Sequence, residues 1–497
     1  MKDLKALVKK RLAAERGTIH KDAPYRVALA YPNTYGVGMA SLGFQVAYQR
    51  FNAEPDFVAE RLFLEELPGA LFTYESGRRP AEMDLFAISI AYELDLTNVI
   101  RLLLRSGLTP LRAERDPSEP PVIVGGPLTS SNPWPLTPFA DVIVIGDGEE
   151  LIPQLAEAWR QAGDKAEFLD LVEGLPGVFL PDRMEREPHW ATAPLERLPA
   201  AAQIVTPYAE FTDTFLIEVE RGCPRPCTFC LARVMYGPTR NVPLDRVLAA
   251  IPEDVPKVGL IGAALTDYPW VKALSRTLVE RGQTFSYSSV RADRVDLELA
   301  ELMRAGGMQS FTFAADGPSQ RLRDYLKKQI TTEHLLHAAR VAREAGFKKF
   351  KLYQMIGLPT ETEADLEEMV ELTLVLSTYA RVALTVSPFV PKRHTPHYAD
   401  RFAGVKTIEK RLKRLEKAFR KHRPRVEMRS VSARWAWVEA VIARGGPEVG
   451  LAAMRLVERE NFAGWKKALA EVGWNDPLND PDPSYDEKPL PFVAVGA

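Results

Sequence analysis

The stretch Arg221-Gly222-Cys223-Pro224-Arg225-Pro226-Cys227-Thr228-Phe229-Cys230 holds all 3 cysteines of a 497-residue chain. Three structural hydrophobes would scatter over core strands rather than gather in a proline- and glycine-rich loop. Three thiols in so long a chain are no disulfide framework either. Close thiolates in a loop make a soft-ligand metal site. A closed zinc site needs a fourth ligand nearby. The histidines nearest in sequence, His189 and His334, have no ligand-like spacing with the loop. Thiolates also hold the irons of iron–sulfur clusters. Three of them serve three irons of a four-iron cluster and leave one iron open. The expectation is a 4Fe-4S cluster on Cys223, Cys227 and Cys230, with the open iron as a chemical handle.

Outward from this loop, the chain from Phe211 alternates strand and helix. Apolar runs at 215–219, 258–261, 285–290, 310–313, 350–355 and 382–386 predict strands. Helical periodicities at 270–281, 332–345 and 363–379 lie between them. Such alternation predicts a parallel sheet. Six units are two short of a full eight-stranded barrel.

The spacing C-x3-C-x2-C, with Phe229 just before the last cysteine, resembles the signature of the radical S-adenosylmethionine superfamily. The resemblance implies a partial (β/α)6 TIM barrel over 211–400. It implies that the open iron chelates the amino and carboxylate groups of S-adenosylmethionine, and that an electron from the cluster cleaves the sulfonium to a 5′-deoxyadenosyl radical. It also implies cofactor contacts at the C-terminal ends of the strands, where such barrels place their sites. Besides Phe229, these are Gly262 and Ala263 after the second strand, Ser288 and Arg291 after the third, Asp316 after the fourth, and Gly357 and Leu358 after the fifth. Relatives often carry Gly-Gly-Glu where this chain has Gly262-Ala263-Ala264, so only the backbone role transfers. Each position taken singly also reads as a strand-ending turn or helix cap.

A second alternating unit occupies 23–163. Strands are expected at 26–31, 84–91, 121–126 and 142–146, with helices at 42–51, 96–104 and 149–159. Asp95 reads as an N-cap and Gly107 as a helix stop. Continuous apolar strands mean that both sheet faces are covered, which predicts a Rossmann-like doubly wound domain. Glycine loops at 33–43, 125–127 and 146–150 suit a ligand at the strand ends. None is a dinucleotide or Walker fingerprint. The run Val124-Gly125-Gly126-Pro127, with the later Val144-Ile145-Gly146-Asp147-Gly148-Glu149-Glu150, resembles the cobalamin-binding domain fused before many radical S-adenosylmethionine enzymes. That resemblance implies contacts from Tyr35, Gly36, Gly38, Ser41, Leu42, Ser89, Tyr92, Gly125, Gly126, Pro127, Gly146, Asp147, Gly148 and Glu149. The Asp-x-His-x-x-Gly motif of a lower axial ligand is absent, and His20 and His189 lie in no such context. Cobalamin is therefore expected without a histidine axial ligand.

Residues 1–22 read as a charged helical extension with no signal-peptide character. Residues 164–210 read as a proline-bearing linker with a small hairpin around 177–180. Residues 401–497 read as a mostly helical C-terminal region, loosely ordered from 475. In 407–422, Ile408, Leu412, Leu415 and Phe419 form one apolar stripe, opposite Lys410, Arg411, Lys413, Arg414, Lys417 and Lys421. The basic face reads first as a solvated surface and second as an RNA-binding one. Trp435, Trp437, Trp465 and Trp474 read as helix-packing core.

Composition narrows the partners. A net charge of −2 gives no reason for wholesale binding to nucleic acid or anionic membrane. No apolar run approaches the length of a membrane span. A soluble cytoplasmic protein is expected, with a small-molecule or natural-product substrate and an electron donor of flavodoxin or ferredoxin type. The resemblance implies a cobalamin-dependent radical enzyme whose reaction is methyl transfer to an unactivated carbon. Radical ring formation or rearrangement, and a non-catalytic iron–sulfur or corrinoid protein, stay open. The cysteine count removes relatives that need an auxiliary cluster or a catalytic cysteine.

Overall fold

Apolar runs become parallel strands in the computed structural model, which describes residues 2–65 and 67–480. The chain forms two compact units. The first runs to Glu218 and takes in Gly445–Trp474; the second spans Val219–Arg444 and continues from Asn475.

The first unit is built on a six-stranded sheet. Its strands are β1 (Tyr25–Tyr31), β2 (Phe57–Phe63), β3 (Leu85–Ser89), β4 (Val122–Gly125), β5 (Val142–Val144) and β6 (Val178–Phe179), in the order β2-β1-β3-β4-β5-β6. Pairings are parallel except for the antiparallel edge β5–β6. The order reverses between β1 and β3, and such a switch point opens a crevice at the strand ends. Phe44, Phe51, Phe57, Phe63 and Leu85 are all buried in one core cluster.

Several expectations change here. The small hairpin around 177–180 is not separate: its strand is β6, the edge of this sheet. β2 escaped the sequence reading because Phe-Val-Ala-Glu-Arg-Leu-Phe interrupts its apolar run with two charges. Both are buried, and Arg61 bonds Glu75 at 2.6 Å and Glu15 at 2.7 Å. Helix Leu96–Ser106 ends at Gly107, whose φ of 82° supplies the left-handed C-cap. Asp95 makes no side-chain cap. Its carboxylate instead accepts from Asn33 Nδ2 at 2.9 Å and Asn98 Nδ2 at 3.1 Å.

Burial pushes the Asp95 carboxyl up to about 6. A raised acid contributes stability below its ordinary titration range, and this is lost as pH rises through the folded value. Asp95→Asn removes the titration. The variant should therefore gain about 1 kcal/mol on wild type between pH 5 and pH 8. Urea unfolding at the two pH values measures it, and an unchanged difference would refute the assignment.

The second unit begins beyond β7 (Phe215–Glu218), so the division falls inside the first strand predicted for the second domain. A short antiparallel pair, β8 (Glu220–Arg221) and β9 (Arg240–Asn241), brackets the cysteine loop. β10 (Lys257–Ile261) pairs in parallel with β11 (Thr284–Tyr287). β12 (Phe311–Asp316), β13 (Lys349–Ile356), β14 (Arg381–Pro388) and β15 (Val426–Ser430) form a parallel sheet in that order. Along β13 and β14, buried residues alternate with more exposed ones. That is the period-two pattern of a sheet with one covered face.

The 401–497 region differs from its mostly helical expectation in two ways. It contributes strand β15, and its helices Pro447–Met454 and Phe462–Glu471 belong to the first unit. Helix Val405–Phe419 buries Ile408, Leu412, Leu415 and Phe419 as its stripe predicts. Arg411 of the supposed solvated face is buried as well. Trp437 and Trp465 are core residues. Of the expected loose tail, 481–497 lies outside the described residues. Among the described residues, no helix is long and apolar enough to cross a membrane.

Candidate cluster and cofactor site

The cysteine loop leaves β8 through Gly222. Its φ is 90°, and a side chain there would strike the backbone carbonyls of Gly237 and Pro238. Glycine is thus required where the loop turns off the strand. Cys223, Cys227 and Cys230 are half-buried free thiols. A turn closes them, with Cys230 N–H donating to Cys227 O at 3.4 Å, and Thr228 N–H ties the loop to Leu326 O at 3.0 Å. Phe229 packs against the cluster of Leu322, Leu326, Leu358 and Phe389, so its place beside the last cysteine is a packing anchor.

Burial pushes the Cys227 and Cys230 thiols up, and each feels its fellow cysteines. Lys328 and Arg291 act on Cys227 in the opposite sense. Among the described residues, no three His, Cys, Asp or Glu side chains converge tightly enough for a single ion. The chemistry of the donor set, three soft thiols in one loop, fits a cluster whose irons are held by thiolates.

The remaining strand ends frame the loop. Ser288 Oγ donates to Gly262 O at 3.0 Å and accepts from Gly262 N–H at 3.1 Å. Ser289 Oγ donates to the same carbonyl at 3.0 Å and accepts from Leu265 N–H at 3.1 Å. Ser288 is therefore engaged in shaping the 262–265 turn. Buried Glu220 accepts from Ala264 N–H at 2.7 Å, and a side chain on Gly262 would collide with it. A glutamate thus sits under this turn although the local motif lacks one. Arg291 bonds Asp293 at 3.0 Å and Lys328 O at 3.3 Å. Asp316 pairs with Lys328. The backbones of Asp316, Lys327 and Gln329 are all left-handed, with φ of 61°, 50° and 59°. Such strain concentrates at working sites.

Gly357 and Leu358 donate their N–H groups to buried Glu361 Oε2 at 2.9 and 3.3 Å. Their turn is thus held from below by a carboxylate. A cavity of about 780 Å³ opens beside the loop, lined by Pro224, Arg225, Arg233, Tyr268, Arg294 and Gln329 among others. Asp267 orders two of its cations, bonding Arg225 Nε at 2.7 Å and Arg294 Nε at 3.0 Å.

The candidate corrinoid loops of the first unit gather at the ends of β1, β3, β4 and β5, but several residues there are already committed. Tyr35 is fully buried, stacks on Tyr74 and donates to Glu15 at 2.6 Å, so it is a core anchor and not an open contact. Gly38 makes room for the Phe63 ring, and Gly125 for Val144. Gly36 O accepts from Glu210 N–H at 3.0 Å. Gly126 and Gly146 have positive φ and face the backbones of Ile90 and Ala191. Ser41 caps helix Leu42–Ala53. Asp147 is buried and accepts from Ala193 N–H at 2.9 Å. Pro127 and Gly148 open helices, and Glu149 is buried in the second of these. Leu42 and Ser89 are half-buried and Tyr92 is exposed. Pro127 is exposed too, and Gly36, Ser41, Gly125, Gly126, Gly146 and Gly148 are half-buried.

His397 was missed. It lies 169 residues from Thr228, yet its Nε2 stands 2.7 Å from Thr228 Oγ1. His334, nearer in sequence, instead closes the capping box of helix Thr332–Glu344 with Thr331. Only tertiary structure could reveal the Thr228–His397 contact, since no motif links 228 to 397.

Residues 217–373 match the family model described as Radical SAM superfamily, and residues 43–181 match one described as Radical SAM proteins, N-terminal. Over 428 residues the chain is 30% identical to an uncharacterized protein of Methanocaldococcus jannaschii, covering 84% of this chain and 88% of that one. The chain belongs to the radical SAM superfamily. Family membership implies a 4Fe-4S cluster and S-adenosylmethionine. This radical SAM chain is also 22% identical, over 50% of its length, to an uncharacterized methyltransferase of Pyrococcus horikoshii, of which it covers 57%. Its fold resembles the radical S-adenosylmethionine methyltransferase TsrM from Kitasatospora setae, solved with cobalamin and a [4Fe-4S] cluster. The TM-score is 0.56 at 16% identity, covering 78% of each chain.

Proposed function

We propose that this radical SAM protein is a cobalamin-dependent methyltransferase acting on an unactivated carbon of a small-molecule or natural-product substrate. One observation carries the reading. The same chain holds a three-thiol loop at a strand end and a separate parallel sheet, with strand order 2-1-3-4-5, whose end loops carry no histidine. We take that sheet as a Rossmann-like doubly wound corrinoid domain, and the β10–β11 and β12–β15 sheets as arcs of one open barrel. His20 and His189 are both exposed and lie outside the end loops, which suits a corrinoid without a histidine axial ligand. The fold likeness to TsrM supports the layout.

In this reading Cys223, Cys227 and Cys230 hold the cluster. Gly262, Ala263, Ser288, Arg291, Asp316, Gly357 and Leu358 surround S-adenosylmethionine, and Leu42, Ser89, Tyr92 and Pro127 meet the corrinoid. When bound, cluster and S-adenosylmethionine supply a 5′-deoxyadenosyl radical, and the corrinoid supplies the methyl group. The chain's own work is placement and the exclusion of water. Ser288 and Ser289 fix the 262–265 turn, Glu361 fixes the 357–358 turn, and the Asp316–Lys328 pair sets the charge beside Cys227. A flavodoxin- or ferredoxin-type donor supplies the electron, and the reduced thiols suit a cytoplasmic setting. The basic helix gives little support to an RNA substrate, because Arg411 is buried and Arg414 pairs with Glu363 and Glu367.

The test is anaerobic reconstitution with hydroxocobalamin, followed by turnover with reductant. The protein should retain corrinoid and form both 5′-deoxyadenosine and S-adenosylhomocysteine. Loss of all corrinoid on gel filtration rules out this route of methyl transfer. Absence of 5′-deoxyadenosine rules out the enzyme.

A further inference from the structure

Thr228 lies between two of the loop's cysteines, and its hydroxyl meets the imidazole of His397, with Oγ1 and Nε2 2.7 Å apart. The other ring nitrogen, Nδ1, is 2.6 Å from Asp400 Oδ2. His397 is buried at 4% exposure, with its ring against Tyr325 and Phe389. A carboxylate only accepts, so Nδ1 carries the proton and donates to Asp400. In the neutral imidazole Nε2 is then the lone pair, and it accepts from the Thr228 hydroxyl. The hydroxyl has a single proton, and this geometry directs it to His397.

We infer that Asp400 and His397 are positioning residues that keep the Thr228 proton away from the cysteine sulfurs and so hold the cluster at a low reduction potential. The inference rests on the reading that Cys227 and Cys230 are cluster ligands. A hydrogen bond to a cluster sulfur stabilises the more negative, reduced state, and such bonds are among the levers that set cluster potentials. If His397 no longer accepts, the Thr228 hydroxyl is free to donate to the neighbouring thiolates. Reductive cleavage of a sulfonium needs a strong reductant, so a device that withholds this donor serves the reaction. The arrangement combines residues from the cysteine loop with residues beyond β14, and nothing in the packing of Phe229 requires it.

The experiment measures the midpoint potential of the anaerobically reconstituted cluster by redox titration followed by electron paramagnetic resonance. The full-length chains are wild type, His397→Phe, Thr228→Val and the double variant. Phenylalanine keeps the ring against Tyr325 and Phe389 but removes the acceptor. His397→Phe should shift the potential upward, Thr228→Val should leave it near wild type, and the double variant should return to wild type. An unshifted His397→Phe overturns the inference. A shift that persists in the double variant also overturns it, since it would come from packing and not from the hydroxyl. If His397→Phe holds no cluster, Asp400→Ala alone and with Thr228→Val are read by the same criterion, because that change frees the imidazole tautomer. Failure of wild type to hold a cluster would instead strike the underlying cofactor reading.

Discussion

Cys227→Ala, reconstituted anaerobically with iron and sulfide, is expected to hold no 4Fe-4S cluster and to bring 5′-deoxyadenosine formation to background. The argument is one of supply. The chain has 3 cysteines, all in the loop, so no fourth thiol can take over. Two thiolates leave two irons without protein ligands, and oxygen or nitrogen donors are poor replacements for a soft ligand. Loss should be equally complete for Cys223→Ala and Cys230→Ala. The apo fold should be indifferent, because the thiols are half-buried in a loop anchored by other contacts: Thr228 to Leu326, and Phe229 to its apolar cluster. Circular dichroism and thermal unfolding of the apo forms should therefore coincide. A Cys227→Ala protein that keeps stoichiometric iron and sulfide, or still yields 5′-deoxyadenosine, would refute the assignment of ligands.

The loop was legible because its chemistry is local. Three thiols in adjacent turns need no tertiary information to be read as a soft donor set. The regular elements were legible for a similar reason: apolar continuity marks β1, β3, β4 and β5, and helix Glu363–Tyr379 matches its predicted span. What failed to show was non-local. β2 looks polar because the partners that neutralise Arg61, Glu15 and Glu75, lie 46 and 14 residues away, outside the strand. Tyr35 looked like a ligand contact because loops at strand ends usually face a crevice. Its hydroxyl instead meets Glu15 and Thr206, 20 and 171 residues away. Glycines at 126 and 146 suggested room for a ligand, yet the neighbouring backbone of the protein fills that room. Spacing can say that a side chain must be missing; it cannot say what occupies the gap.

Arg411→Met should produce a large loss of stability in the second unit. Glu361 is fully buried and carries its charge against Arg411, with Nη1 and Oε1 2.9 Å apart. Burial alone pushes the Glu361 carboxyl up, and Arg411 and the N–H groups of Gly357 and Leu358 oppose it. Removing the guanidinium leaves a buried carboxylate with two backbone donors and no counter-charge, at a cost of about 3–5 kcal/mol. Glu361→Gln should cost less, since the amide oxygen still accepts from the turn and Arg411 retains its bond to Glu361 O. The double variant Glu361→Gln/Arg411→Met replaces the pair with neutral groups and should be more stable than Arg411→Met alone. The pH dependence has a definite sign. A carboxyl raised in the folded state contributes stability below its ordinary range and loses it as pH rises through the folded value. Without Arg411 the rise is larger, so the deficit of Arg411→Met should be greatest near pH 8 and shrink toward pH 5, while the double variant should show no such trend. Urea unfolding of the three chains at both pH values decides it. A deficit of Arg411→Met below about 1 kcal/mol at pH 8 would mean that water reaches Glu361 and that the pair is not buried as a unit. The functional corollary follows from position: Glu361 holds the turn assigned to S-adenosylmethionine, so Arg411→Met should raise the KM for S-adenosylmethionine while the cluster content stays at the wild-type level.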